Sequence, residues 1–458
     1  MTEQGVAGSF RDPSGFLFIK DGVLYRQVNS VYRDHYDHLM NSGLYDNLVK
    51  LSLLVRHIEA SASISISQPA YKVIKPDPIK FISYPYEWCF SQMKDAALAV
   101  LEIEKVSLGY DMTLKDCPAY NMQFSKGKAL LIDTLSFEIY AENKPWSAYR
   151  QFCQHFLAPL ALMSYRDICL NQMSRVYLDG IPLDLAAKLL PSKARFNLNL
   201  FMHIYMHAAS QDKYTDRAPD KKALSRRISK TSLLGLIDSL EHGVRTLKWR
   251  PGEDDWYRYY SDVSSCPDEY QDQKKQLVSD WLDKIKPGSV WDLGANTGKF
   301  SRIACEKGIF TLSLDSDPAC VEGNYLMDSG PGKELMLPLV IDLTNPSPGI
   351  GWDNTERTTL WQRGHAETVL ALALVHHLAI TNNLPLDRIA SFFRKICNSL
   401  IIEFVPKNDP NTQKLLSSRA DIFPDYTREM FEEQFSKFFK IISSSPIKHS
   451  GRILYLMK

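Results

Sequence analysis

The stretch that most constrains this chain is residues 289 to 300, Ser-Val-Trp-Asp-Leu-Gly-Ala-Asn-Thr-Gly-Lys-Phe. An apolar run ends in an acid, Asp292, and breaks into a turn marked by Gly294 and Gly298 before a helix opens near Lys299. Glycine lacks a Cβ, so both positions can take positive φ and bring backbone close to a ligand, and the first helical turn offers N–H groups with no intrahelical partner. The pattern predicts a buried strand leading into a ligand cradle. Alone, G-x-x-x-G is weak, because dinucleotide sites and plain strand-to-helix turns use glycine in the same way.

Residues further along add context. A second apolar run, Ile309 to Leu314, ends in Asp315 followed by Ser316 and Asp317, and a third, Leu337 to Ile341, ends in Asp342. In a doubly wound sheet an acid at the end of the second strand meets ribose hydroxyls. A pyrophosphate-type G-x-G-x-x-G is absent, which suggests a nucleoside without a diphosphate. Thr368 to Val375 and Ser399 to Val405 are continuous apolar runs, as expected of parallel strands covered on both faces. Phe439 to Ile442 followed by Arg452 to Met457 reads as a closing hairpin.

Asp292 to Phe300 resembles motif I of class I S-adenosylmethionine-dependent methyltransferases, and the resemblance runs from about residue 270 to 458. It implies a Rossmann-like α/β sheet and S-adenosylmethionine as cofactor. Asp292, Gly294 and Gly298 would line its methionine and ribose side, Asp315 would bind the ribose hydroxyls, and Asp342 or its neighbour would face the adenine. Asn296 stands where the commoner G-x-G-x-G form has its middle glycine; it is counted with the cofactor-binding set, its role open. The plainer alternative is a nucleotide-binding or ligand-free Rossmann-like sheet.

Ligands in open α/β sheets sit beyond the carboxyl ends of strands, which singles out His376, His377, Glu403, Pro406 and Lys407. His376, His377 and Glu403 are the catalytic candidates. A histidine can take a proton from an attacking hydroxyl or amine, and a glutamate can orient an acceptor. Methyl transfer from a sulfonium is already downhill and can rely on proximity and orientation, so the bland reading gives the histidines to the pocket mouth and Glu403 to structure. As neighbours on a strand the two histidines would point to opposite faces, and no metal site is expected. Asp409, Arg419, Asp425 and Tyr426 follow in a polar stretch placed to line an acceptor site.

The N-terminal half carries a second pattern. Asp116 and Asn121 stand five apart in a proline-containing loop, and Asp133 ends a short strand after a glycine-containing hairpin. This resembles the D-x-x-x-x-N loop and strand-borne acid of protein kinases and aminoglycoside-kinase-like proteins. The resemblance implies that Asp116 orients an acceptor hydroxyl while Asn121 and Asp133 hold magnesium. A hairpin from Gly15 to Val28, a hinge strand over Phe81 to Pro85 and an amphipathic helix from Cys89 to Gly109 fit that layout. The departures are large: no glycine-rich loop, Arg26 where a strand lysine would sit, and Asp133-Thr134-Leu135 in place of D-F-G. A degenerate α+β module, for which a kinase-like fold is one reading, follows more readily than an active kinase.

Pro85-Tyr86-Glu87-Trp88, the Lys115–Asn121 loop, Pro145 to Cys153 and Glu403 to Lys407 together resemble bacterial methyltransferases related to the nodulation protein NoeA, over nearly the whole chain. That resemblance suggests a surface glycan or lipid-linked saccharide as acceptor.

At 458 residues and 45% hydrophobic content the chain can bury two sizeable cores. The expected plan is an N-terminal module over 1–215, a linker and lead-in helix over 216–269, and a methyltransferase domain over 270–458. A net charge of +1 gives no bulk attraction to nucleic acid or acidic membrane. The basic run Lys221, Lys222, Arg226, Arg227 and Lys230, beside Asp216 and Asp220, reads as a solvated face, with a nucleic-acid contact as the sharper alternative. Eight cysteines lie scattered without C-x-x-C pairs, fitting a reducing cytoplasm without zinc. No apolar run reaches membrane-span length, and Met1 to Arg11 lacks a signal core. Trp256, Tyr257, Tyr259 and Tyr260 are read as a lid over the site or as domain packing. The expectation is a cytoplasmic two-domain methyltransferase acting on a small-molecule or glycan acceptor. Its alternatives are a cofactor-binding scaffold and a fused kinase-methyltransferase whose first module binds ATP or a partner.

Overall fold

The computed structural model describes residues 4–67, 70–208, 228–251, 268–327, 332–417 and 420–458. The basic run short of Lys230, the aromatic cluster Trp256 to Tyr260, and Arg419 lie outside the described residues. The chain divides into two units, Met1–Arg250 with Gly349–Arg357, and Pro251–Pro348 with Thr358–Lys458.

In the first unit, among the described residues, five strands form an antiparallel sheet in the order β1-β2-β3-β5-β4. They are β1 (Gln4–Gly5), β2 (Gly15–Lys20), β3 (Val23–Asn29), β4 (His57–Ala60) and β5 (Ala70–Pro76). The β2–β3 hairpin turns at Asp21 and Gly22, with φ of 52° and 76°. Positive φ at both central residues lets the turn follow the twist of its strands, and Asp-Gly supplies it at low strain. Two further antiparallel pairs follow: β6 (Met112–Leu114) with β9 (Phe137–Ile139), and β7 (Met122–Ser125) with β8 (Lys128–Leu131).

The helix Phe90–Leu108 forms as the apolar spacing predicts, burying Met93, Ala97, Val100, Leu101 and Leu108. Its start is fixed by Gln92, whose side chain accepts the Cys89 N–H at 3.0 Å. Phe81 to Pro85 does not form the expected strand. Side chains take its backbone donors instead: the Ser83 N–H goes to Gln123 Oε1 and the Tyr84 N–H to Glu87 Oε2, both at 2.8 Å. The helix Lys230–Thr246, which the sequence plan places in a linker, belongs to this unit and buries Leu233, Ile237, Leu240 and Val244. Lys94 Nζ donates to the carbonyls of Arg245 and Leu247 at its C-terminus, each at 2.9 Å. The segment Gly349–Arg357 also belongs here. Arg11 grips Glu356 with a two-pronged contact at 2.7 and 2.9 Å, and the Arg357 guanidinium lies 4.5 Å from the Tyr120 ring centroid.

In the second unit seven strands form one sheet: β10 (Ser289–Leu293), β11 (Phe310–Asp315), β12 (Met336–Val340), β13 (Ala366–Ala371), β14 (Cys397–Phe404), β15 (Ile441–Pro446) and β16 (Ile453–Met457). Their order is β12-β11-β10-β13-β14-β16-β15. The first five run parallel, while β16 is antiparallel to both β14 and β15. β10 lies centrally, with Asp292 opposite Ser313 on one side and Leu370 on the other. Val278, Trp281, Leu282, Val290, Phe300, Leu370, Ile401 and Leu454 pack into one core. The strand order reverses between β10 and β13, and a crevice opens for ligands beyond the carboxyl ends of strands at such a point.

Candidate cofactor and acceptor site

Three alternate residues of the turn after β10 have left-handed backbone: Gly294, Asn296 and Gly298, with φ of 72°, 50° and 75°. Asparagine is among the few non-glycine residues that enter this region readily, which explains how Asn296 replaces a glycine. The N–H groups of Gly294 and Ala295 both reach the Leu314 carbonyl, at 2.9 and 3.0 Å. Gly294 is exposed, so bare backbone faces outward at the end of the central strand. Gly298 is enclosed: a Cβ there would lie 2.4 Å from Asn324 Oδ1.

Asp315, at the end of β11, accepts the Asn296 N–H on Oδ2 at 2.6 Å and the Asp317 N–H on Oδ1 at 2.9 Å. Burial raises its pKa against the opposing pull of these backbone donors. Each oxygen keeps lone-pair capacity, so the carboxylate can receive a pair of hydroxyls. Asp342 follows β12 and is exposed, its Oδ1 taking both the N–H and hydroxyl of Thr344 at 2.8 and 2.7 Å.

Asp292 stands behind the turn. Its side chain is buried and accepts the Ser301 hydroxyl at 2.6 Å, and burial pushes its pKa up to about 6. Ser301 Oγ lies 3.0 Å from Ser313 Oγ, which receives Asn324 Nδ2 at 2.9 Å. Arg302 completes the brace, reaching Asn324 Oδ1 at 3.0 Å and the Thr297 carbonyl at 2.6 Å. The structure therefore gathers Gly294, Asn296, Gly298 and Asp315 at one edge. Asp292 supports that edge from inside, and Asp342 sits at the neighbouring strand end.

His376 and His377 are not strand residues. β13 ends at Ala371, Ala373 turns the chain with φ of 51°, and His377–Thr381 forms a wide helical turn. The apolar run continues past the strand because Leu372 and Val375, on either side of the turn's centre, are buried too, so periodicity does not reveal the break. The two rings lie 4.2 Å apart, centroid to centroid, rather than on opposite faces. His376 is 1% exposed and its Nδ1 has no hydrogen-bond partner. Burial, reinforced by His377, pushes its pKa well below the ordinary value. His377 is only partly buried, with its pKa lowered by burial and by Arg452.

Glu403 is fully buried at the end of β14. It accepts Tyr270 Oη at 2.8 Å, the Lys274 ammonium, and Arg452 Nη1 at 3.4 Å. Burial alone would raise its pKa, but Lys274 and Arg452 outweigh that and hold it at about 2. Arg452 also forks onto Asp409 at 2.7 and 3.1 Å. These contacts tie the helix Asp268–Ile285 and β16 to the end of β14. The carboxylate is engaged on every side by its own unit. Asp409 is likewise internal, as is Tyr426, whose hydroxyl donates to the Val405 carbonyl at 2.8 Å; Asp425 is exposed. The Lys274 contact has a trace in the sequence: Tyr270, Lys274, Val278 and Trp281 share one helical stripe, and a lysine on an apolar stripe calls for a buried partner.

The first unit also brings its sequence-predicted residues together. Asn121 Nδ2 lies 3.4 Å from Asp116 Oδ2 and 3.4 Å from Asp133 Oδ2, and Arg26 pairs with Asp133 Oδ1.

Counted from β10, the second sheet reads 3-2-1-4-5-7-6, with a glycine turn after its first strand and an acid ending its second. This is the class I methyltransferase fold. No protein-family profile matches the chain. Over 457 residues it is 34% identical to the nodulation protein NoeA of Rhizobium meliloti strain 1021, across 98% of this chain and 95% of that one. The chain belongs to the NoeA family. Among solved structures it is similar to the magnesium protoporphyrin IX methyltransferase of Synechocystis PCC 6803, with 18% identity, 41% of this chain and 84% of that one covered, and a TM-score of 0.28. It is similar also to the N-methyltransferase NodS of Bradyrhizobium japonicum WM9, with 7% identity, 42% and 96% covered, and a TM-score of 0.30.

Proposed function

We propose that this chain is an S-adenosylmethionine-dependent methyltransferase. The single observation that carries the reading is the coupling of Asn296 to Asp315, which sets a bare-backbone turn and a hydroxyl-binding carboxylate side by side at the carboxyl ends of the first two strands. The residues fit the cofactor: exposed Gly294 leaves room for close approach, and Asp315 suits vicinal ribose hydroxyls. When bound, the cofactor supplies an electrophilic methyl group on a sulfonium. The chain's own part is to hold it by Asp315 and the turn and to exclude water.

Of the two histidines, His377 is the one with access to solvent, and its lowered pKa keeps it neutral at pH 7, able to take a proton from an acceptor hydroxyl or amine. His376, its ring beside that of His377, serves as a positioning residue, and Glu403, held by Tyr270, Lys274 and Arg452, fixes the end of β14. The name of the NoeA relative, a nodulation protein, suggests a surface glycan or lipid-linked saccharide as acceptor. No helix of the described residues is long and apolar enough to cross a membrane. The seven described cysteines are free thiols, which suits a reducing cytoplasm.

The reading is tested by incubating the protein with methyl-labelled cofactor and a panel of oligosaccharide and lipid-linked saccharide acceptors. Labelled product that disappears with Asp315→Ala supports it. Tight cofactor binding without transfer to any acceptor favours the scaffold role.

A further inference from the structure

Asp116, Asn121 and Asp133 take no part in the chemistry proposed above, and their placement resembles a site for magnesium and a nucleotide. Such a site needs oxygen atoms converging on one point, at about 2.0–2.1 Å from the ion. N–H and O–H donors converge here instead. Asp133 Oδ1 accepts from the Arg26 guanidinium and from the Leu135 N–H at 3.0 Å. Asp133 Oδ2 accepts the Ser136 hydroxyl at 2.9 Å, with Asn121 Nδ2 at 3.4 Å. Asp116 Oδ1 accepts Gln151 Nε2 at 2.6 Å, and Oδ2 again faces Asn121 Nδ2 at 3.4 Å. Asn121 thus presents its amide donors to both acids. Among the described residues, no group of three or more His, Cys, Asp and Glu side chains stands ready to hold an ion.

The cation in this cluster is covalent to the chain. Arg26 reaches down from β3, and both it and Asp133 are 9% exposed. A second bond runs beside it: Lys115 Nζ donates to Ser14 Oγ at 2.6 Å, with Asp12 at 3.6 Å, and lies 4.9 Å from the Tyr32 ring centroid. Val28, Tyr32 and Leu135 join the same apolar cluster, so greasy contact backs the charged one. Sheet and loop are therefore bonded directly to each other at the Asp133 carboxylate, the group that a kinase-like site would offer to a metal.

We infer that Arg26 is a built-in counter-ion standing where a kinase-like site would hold magnesium, and that the first unit folds and works without divalent metal or nucleotide. The Arg26–Asp133 pair holds the sheet onto the loop. The residues do not fit the metal, and no phosphoryl transfer is assigned to them. This holds whether or not the second unit transfers methyl groups.

The two possibilities differ in sign. An acid in an empty metal site is repelled by its neighbours, so neutralising it stabilises; an acid paired with a buried arginine stabilises, so neutralising it costs. The experiment is thermal unfolding of the full chain as wild type, Asp133→Asn, Arg26→Met and the double variant, with and without MgCl2 and ATP, beside a Mn²⁺ titration followed by electron paramagnetic resonance. Each single variant is expected to lower the Tm by on the order of 10 °C. The double variant is expected to be no worse than the poorer single one, and wild type is expected to bind no stoichiometric Mn²⁺ and show no shift with MgATP. An unchanged or raised Tm in Asp133→Asn overturns the inference. So does stoichiometric Mn²⁺ binding by wild type, a result that stands even if every variant fails to fold.

Discussion

The backbone N–H of Asn296 lies 2.6 Å from Asp315 Oδ2, so the turn after the first strand of the sheet and the acid ending the second form one structural object. Neither can move without disturbing the other.

That coupling requires Asn296 to hold φ at 50°. Asn296→Gly should keep stability within about 1 kcal/mol, since glycine takes this region without strain. Asn296→Val should lose about 1–3 kcal/mol, because a β-branched residue is strained there. Urea unfolding of both variants checks the ordering.

Gly298 has left-handed backbone and a crowded flank, a new Cβ falling 2.4 Å from Asn324 Oδ1. Gly298→Ala should destabilise by at least about 1–2 kcal/mol from backbone strain. Displacing Asn324 also takes one of the two contacts that hold Arg302 against the turn, so the weakening of cofactor binding should exceed that in Asn296→Gly. Binding titrations of the two variants supply the comparison.

Glu403→Gln leaves Lys274 and Arg452 buried beside a neutral group, and removing one member of a buried pair typically costs about 3–5 kcal/mol. Its pKa falls from an ordinary 4.5 to about 2 on folding, so it adds stability above pH 4.5 that is lost as pH drops towards 2. The gap between wild type and variant should therefore narrow across that window, as Tm measured against pH will report.

Glu104 behaves in the opposite sense. It is buried on the helix Phe90–Leu108, accepts the Thr113 hydroxyl at 2.6 Å and the Leu114 N–H at 2.7 Å, and burial pushes its pKa from 4.5 to about 8. A raised carboxyl pKa means the folded state holds the extra proton, so stability falls as pH rises from 4.5 through 8. Glu104→Gln mimics the protonated acid. It should match wild type near pH 5 and exceed it in Tm near pH 9.

The methyltransferase sheet was legible because buried parallel strands read as unbroken apolar runs, and Asp292, Asp315 and Asp342 mark where three of them end. The same signal hid the end of β13, since Val375 after the strand is as buried as Val369 within it and Leu372 nearly so. It could not show Phe81 to Pro85 as irregular, because Gln123, forty residues on, satisfies Ser83, while the adjoining Glu87 caps Tyr84. Buried ion pairs were hardest to see. Arg26 and Asp133 are 107 residues apart, Lys274 and Glu403 129, and spacing says nothing about such partners. Asp292 was legible as part of the motif, but only the fold shows that it braces the turn from within.

The most direct test is calorimetric titration of wild type and Asp315→Ala with S-adenosylhomocysteine. Wild type should bind, and the variant should bind about tenfold or more weakly, as expected when hydrogen bonds to a charged group are lost. No binding by wild type, or equal binding by both proteins, would contradict the account.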